Sequence, residues 1–389
     1  MRMRMHLASH LAAGAAILLF GLFGAAPATA GAASPAFRVP AVTVYVANVG
    51  SGTVTPIRAV TNTAGPAIKV GGHPLAIAIT PNGKTAYVTS DTTVTPVNTT
   101  TGAVGKAITV GGSTQIIAIA PNGKTAYAVS LGPGTVTPIR TRTNTAGPPI
   151  NLGAGDLVIT PNGKTAYALA GPGVIPFRTA TDKAGTPITV KGANSDIMVT
   201  PNGKTVYVIN DTAGLVTPIP TTTNRPGRPI RIPVNPDVSP WYTPGQVLII
   251  STPDSKTVFA ANATTNSVTP ISAATNRAGK SIKVGMEPYS MAITPNGRTL
   301  VVVSQDNTVT LIDTATNKVT GTINVVTSPV WYTTQPVAIT PDGRTAYVVS
   351  YESNAVTPIS LTTGKAAKPV AVGESPIAIA ISPAPPAHR

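Results

Sequence analysis

Cysteine is absent from the 389 residues, which excludes disulfide staples and thiolate metal sites. Charged residues make up 11% of the chain and aromatic residues 4%. Acidic residues are the scarcer sign: 13 Asp and Glu stand against 28 Lys and Arg, a formal net charge of +15. Such a balance favours anionic partners but says nothing about fold. Histidine is nearly missing. Beyond the first 30 residues only His73 and His388 remain, and neither has a second His or a paired carboxylate at a known spacing. General acid–base chemistry therefore lacks its usual parts. There is no Gly-x-Ser-x-Gly elbow and no phosphate loop. What is abundant is Gly (36) and Pro (39), with Thr, Val, Ile and Ala filling most of the remainder. That composition reads as short strands and many turns.

Residues 1–30 have the layout of a signal peptide. Arg2 and Arg4 give a positive start, Leu11 to Phe23 an apolar stretch, and Ala28-Thr29-Ala30 a small-x-small cleavage site. The apolar stretch is short for a membrane span, and none later in the chain reaches spanning length. The expectation is a secreted or cell-envelope-associated protein, monomeric, with a linker at 31–40, a folded body at 41–383 and a tail at 384–389.

The strongest pattern is a repeat. Pro-Asn-Gly-Lys, followed by Thr-Ala-Tyr or Thr-Val-Tyr, starts at Pro81, Pro121, Pro161 and Pro201. Variants start at Pro253, Pro295 and Pro341. A period of about forty residues marks propellers and solenoids. Each repeat has an apolar run (Leu75 to Thr80), the Asn-Gly turn, a second run (Thr85 to Val88), a third (Thr93 to Val97) and a fourth (Ala107 to Val110). Asn-Gly between apolar runs is a hairpin signal, and four short strands are the unit of a propeller blade. We name the strands A to D, from the axis outward. The first B–C–D set, Thr43 to Val70, lacks an A strand, and the last A strand, Ile377 to Ser382, lacks a B strand. Joining them completes an all-β, eight-bladed propeller of four-stranded blades closed by both chain ends; seven blades is the alternative.

These residues resemble the YVTN-repeat β-propeller family. The likeness is carried by Pro295-Asn296-Gly297-Arg298 through Thr308 to Lys318, by Thr43-Val44-Tyr45-Val46-Ala47-Asn48 and by Thr205-Val206-Tyr207-Val208-Ile209-Asn210. It covers about residues 41–383. The resemblance implies a propeller and little about activity, since relatives include surface-layer and cell-envelope proteins, nucleic-acid binders and lactonase-like enzymes. One departure stands out. Strand C carries Pro in seven repeats (Pro56, Pro96, Pro138, Pro176, Pro218, Pro270, Pro358), with Leu311 the exception. Proline cannot donate to a sheet ladder, so either strand C is bulged or its pairing with D is broken there.

In a propeller the A–B and C–D loops share one face, and the B–C and D–A loops share the other. The A–B turns supply Lys84, Lys124, Lys164, Lys204, Lys256, Arg298 and Arg344. The C–D loops add more cations, opposed only by Asp182, Asp254, Asp313 and Asp342. The other face gathers Asp91, Asp156, Asp196, Asp211, Asp237, Glu287, Asp306, Glu352 and Glu374, with Lys191 as its one clear cation. A cationic face of this kind attracts anionic cell-wall polymer or a protein partner, and nucleic acid less readily. The competing reading is that Lys after Asn-Gly serves turn chemistry and solubility.

Two D–A loops are long and hold both tryptophans: Ser239-Pro240-Trp241-Tyr242-Thr243, and Ser328-Pro329-Val330-Trp331-Tyr332-Thr333. Trp241, Tyr242, Trp331 and Tyr332 are candidate walls of a small-ligand or peptide pocket, with Glu287 and Tyr289 as its floor. The alternative is that they plug the channel mouth. Five D–A segments carry one carboxylate each (Asp156, Asp196, Asp237, Glu287, Glu374), a set that could converge on a calcium ion, although no loop has calcium-loop spacing. The reading favoured is a non-enzymatic binding or scaffold module without a cofactor. A lactonase- or lyase-like enzyme at the D–A mouth is the alternative.

Overall fold

A computed structural model describes residues 42–171, 173–192, 195–210, 213–235, 248–326 and 336–383. Among them every regular element is a β-strand, and the strands form eight separate antiparallel sheets. The A strands are Pro376–Ile381, Pro74–Ile79, Thr114–Ile119, Ala154–Ile159, Asp196–Val199, Ile249–Ser251, Pro288–Ile293 and Val337–Ile339. Each touches the next, and Val337–Ile339 touches Pro376–Ile381, which touches Pro74–Ile79, so the inner ring is closed. We number the blades 1 to 8 in that order.

Blade 1 is built from both ends of the described chain. Pro376–Ile381 pairs with Thr43–Asn48, with Val44 opposite Ile381 and Val46 opposite Ile379. Thr43 N–H donates to Ser382 Oγ at 2.9 Å, and Ser382 N–H donates to Thr43 O at 2.8 Å. The B strands explain why the repeats are so evenly apolar. Thr85–Ser90 is buried at every position after the first, as are its counterparts Thr125–Ser130 and Thr205–Asn210. A blade packed between two neighbours has no solvent face, so alternation of polar and apolar residues disappears. Each fully buried Val or Ile contributes roughly 1.5–3 kcal/mol, and eight apolar clusters, each shared between adjoining sheets, carry this around the ring.

Tyrosine links the blades as well as filling them. Tyr87 Oη donates to Asn144 Oδ1 of the next blade at 2.6 Å. Tyr167 donates to Asn224 Oδ1 at 2.8 Å, Tyr207 to Asn276 Oδ1 at 2.8 Å, and Tyr347 to Asn62 Oδ1 at 2.6 Å. Each of these Asn residues has a left-handed backbone, with φ between 51° and 53°, a conformation that Asn tolerates better than most residues. Tyr127 uses Asp182 in the same way at 3.0 Å. Where Gly102 takes the left-handed position, Tyr45 bonds instead to the Thr99 carbonyl at 2.7 Å.

The proline in strand C acts on the outer edge. B–C pairing runs without a shift through Pro56, from Thr43 opposite Arg58 to Asn48 opposite Thr53. Strand C is therefore not bulged against B, and the break lies on the D side. In blade 1 the D strand is two fragments, Thr63–Ala64 and Ile68–Lys69, each paired to one end of strand C. Pro56 has no N–H for the gap, though its carbonyl still accepts Gly65 N–H at 2.7 Å. In blade 7, where Leu311 replaces proline, D is a continuous seven-residue strand, Lys318–Asn324, whose pairing with C passes through one bulge between Leu311 and Ile312.

Candidate functional site: a cationic face and a buried carboxyl pair

The A–B turn is a small hydrogen-bonded unit that leaves its cation unused. Thr80 Oγ1 and Lys84 N–H both donate to Asn82 Oδ1, at 2.7 and 3.0 Å. Gly83 takes φ 71°, and a Cβ built there would sit 3.3 Å from Pro383 of the preceding blade. Asp254 and Asp342 replace Asn in two turns and accept Lys256 N–H and Arg344 N–H at 3.0 Å. The turn therefore uses the lysine's backbone only, which any residue supplies. The seven side chains at this place, Lys84, Lys124, Lys164, Lys204, Lys256, Arg298 and Arg344, are all exposed.

Backbone bonds fix the C–D hairpins to the same face. The carbonyls of Lys84, Lys124, Lys164 and Lys204 accept the N–H groups of Thr99, Thr141, Thr179 and Thr221 at 2.9–3.2 Å. The four acids of this face have structural work. Asp254 and Asp342 shape turns, Asp182 accepts Tyr127, and Asp313 Oδ1 accepts Thr316 N–H at 2.7 Å. Bonds to Thr316 also hold the Asp313 carboxyl below its ordinary range. Among the described residues only Lys256 forms a direct ion pair on this face, with Asp254 at 3.5 Å, and both side chains are exposed. Such a pair neutralises little.

The opposite face is less purely acidic than its loops imply. Lys69 lies opposite Thr53, Arg231 opposite Leu215 and Lys283 opposite Ser267, each at the B–C end of an outer strand. Lys283 Nζ donates to Thr265 O at 3.1 Å. Two of the acids there have local partners: Asp306 Oδ2 accepts Met286 N–H at 2.8 Å, and Asp91 lies 3.2 Å from His73 Nδ1, with the His73 and Asp91 side chains exposed. Trp241, Tyr242, Trp331, Tyr332, Asp211, Asp237 and His388 lie outside the described residues. Tyr289 is buried in the core between blades 7 and 8. Glu287 is half-buried at a left-handed position, with its N–H on Asn266 Oδ1 at 2.8 Å. Glu374 is exposed.

Asp156 and Asp196 belong to the inner strands rather than to loops. Both are buried, at 0% and 1% exposure. Asp156 Oδ1 accepts Leu157 N–H at 2.6 Å. Asp196 Oδ1 accepts Ile197 N–H at 2.7 Å, and its Oδ2 accepts Ile249 N–H of the next blade at 3.0 Å. The two carboxyls are within hydrogen-bond reach of each other, and among the described residues no N–H or hydroxyl reaches Asp156 Oδ2. Two buried carboxylates cannot both ionise at contact, so the pair keeps at least one proton. Burial raises both well above the usual carboxylate range, and the neighbouring Asp156 charge raises Asp196 further. The chain Asp156–Asp196–Ile249 thus ties blades 4, 5 and 6. No group of three His, Cys, Asp or Glu able to hold a metal occurs among the described residues. The pair was visible in the sequence through register. Counted five residues before the turn proline, the other six blades have Ala76, Ile116, Leu248, Ser290, Pro336 and Ala378. Only blades 4 and 5 have a carboxyl there.

Neither a family model nor a curated protein matches the chain significantly. Solved structures do. Dihydro-heme d1 dehydrogenase NirN, in complex with DHE, aligns with TM-score 0.73 at 15% identity, over 89% of this chain and 76% of that one. AztD from Citrobacter koseri aligns with TM-score 0.65 at 13% identity, over 88% and 97%. Kuenenia stuttgartiensis hydrazine synthase aligns with TM-score 0.57 at 20% identity, over 74% and 95%. At these identities the likeness is one of fold.

Proposed function

We propose that this chain is a non-enzymatic propeller that binds anionic polymer through the face formed by its A–B turns and C–D hairpins, and that it does so outside the membrane after loss of residues 1–30. The observation that supports this most directly is the repeated turn cation. The turn needs the Asn or Asp oxygen and a backbone N–H, yet all seven turns place an exposed Lys or Arg there, and only Lys256 among them meets an acid directly. A one-signed ring on a closed face attracts polyanions by its summed field and by counterion release.

The test is retention on beads bearing linear polyphosphate, with uncharged beads as the control. Wild-type protein should bind at low salt and elute as salt rises. K84S/K124S/K164S/K204S should pass through, with its strand signature in circular dichroism unchanged. Equal retention of that variant would overturn the proposal.

A further inference from the structure

The C–D hairpins carry a second set of cations whose placement is independent of which strand supplies them. At the last residue of strand C and the first of strand D, cross-strand partners are Arg58 with Thr63, Arg140 with Thr145 and Arg178 with Lys183. In the later blades the charge moves across the hairpin: Ser272 with Arg277, Asp313 with Lys318 and Ser360 with Lys365. Arg225 fills the matching place in blade 5, directly after left-handed Asn224. Only blade 2, with Asn98 and Ala103, has no cation there. All of these cations are exposed. Fifteen of the chain's 28 Lys and Arg residues thus occupy two places in the repeat. Strand propensity or solubility would not require a cation to reappear at the same spatial point on the opposite strand.

Together with the turn cations this gives two concentric belts, an inner one at the A–B turns and an outer one at the hairpin bases. The geometry points to a linear, charge-dense phosphate polymer as the ligand, lying across several blades, rather than a small anion held at one point. This inference rests on the polyanion reading above and narrows it. Packed sheets stand about 10 Å apart, so cations of neighbouring blades are held on the order of 10 Å from one another. A single phosphate is too small to meet the cations of several blades at once. A polymer meets many, each contact raising the local concentration for the next. The arginine share of the outer belt (Arg58, Arg140, Arg178, Arg225, Arg277) suits phosphate oxygens, which the guanidinium fork contacts in pairs.

The experiment is competition against labelled long-chain linear polyphosphate, followed by fluorescence anisotropy, using orthophosphate, tripolyphosphate and chains of increasing length at equal total phosphate. Affinity per chain should rise on the order of a hundredfold or more between tripolyphosphate and chains long enough to cross several blades. The outer-belt variant R58S/R140S/R178S should flatten that rise, whereas the opposite-face variant K69S/R231S/K283S should keep it. Short anions competing as well as long ones would overturn the inference while leaving the polyanion reading intact. Failure to bind any polyphosphate would overturn both. Co-sedimentation with vesicles of anionic lipid and no binding of free polymer would assign the belts to a membrane surface and overturn the inference.

Discussion

Asp156 and Asp196 put a titration inside the ring. In the unfolded chain each carboxyl has its ordinary value of about 3.9; in the folded molecule burial raises both. Above that ordinary value the folded state holds more protons than the unfolded state, so stability falls as pH rises into the neutral range. A single proton contributes a slope of at most about 1.4 kcal/mol per pH unit. Asp156→Asn retains an acceptor for Leu157 N–H and supplies a donor to Asp196. Urea midpoints measured from about pH 4 to about pH 8 should fall less steeply in this variant than in the wild type, with the variant the more stable at the upper end. Identical pH profiles would show that the pair shares no proton. Phe259 offers a second prediction at this scale. It occupies the place of the linking tyrosines, and left-handed Asn317 stands at the acceptor place in the next blade. Phe259→Tyr should stabilise by about 0.5–1.5 kcal/mol, while Tyr347→Phe should cost a similar amount, both read by chemical denaturation.

At the scale of the strand, proline decides how the blade ends. Seven C strands carry it, and in the blade that does not, the outer strand runs unbroken from Lys318 to Asn324. Hydrogen exchange followed by mass spectrometry should show those amides better protected than the outer fragments Thr63–Ala64 and Ile68–Lys69, and Leu311→Pro should remove the difference. Equal protection in the wild type would contradict the assigned role of proline. Strand number, blade number and this interruption were legible because turn chemistry and proline act locally, through hydrogen bonds within a few residues. The tyrosine links were not, because Tyr87 and Asn144 are related only by the packing of one blade on the next. Asp156 and Asp196 fell between. The sequence marked them as carboxylates near the D–A end, but their meeting depends on inner strands of consecutive blades lying side by side. Read as loop residues, they suggested a calcium ion; read in strand register, they are buried polar groups that must satisfy one another.

For the whole molecule, closure and polarity are one fact. Strand Pro376–Ile381 beside Thr43–Asn48 gives the eighth sheet the same A–B pairing as the other seven, so the seven A–B turns emerge on one side of the ring and their cations with them. Removing residues 376–389 should leave blade 1 without its A strand and expose the apolar side of Thr43–Asn48, with loss of cooperative unfolding. The distribution of charge follows from this construction. A turn that leaves its Lys or Arg side chain exposed is repeated seven times on one rim, the acids of that rim are occupied by turns and tyrosine, and the cations of the opposite rim are scattered over outer strands. The most direct measurement of the central claim is the salt dependence of polyphosphate binding, with log K plotted against log salt. The wild type should give a steep negative slope, which becomes shallower by roughly one unit for each turn cation replaced by serine and stays unchanged in K69S/R231S/K283S. A slope indifferent to the turn cations, or reduced equally by the opposite-face variant, would contradict the claim.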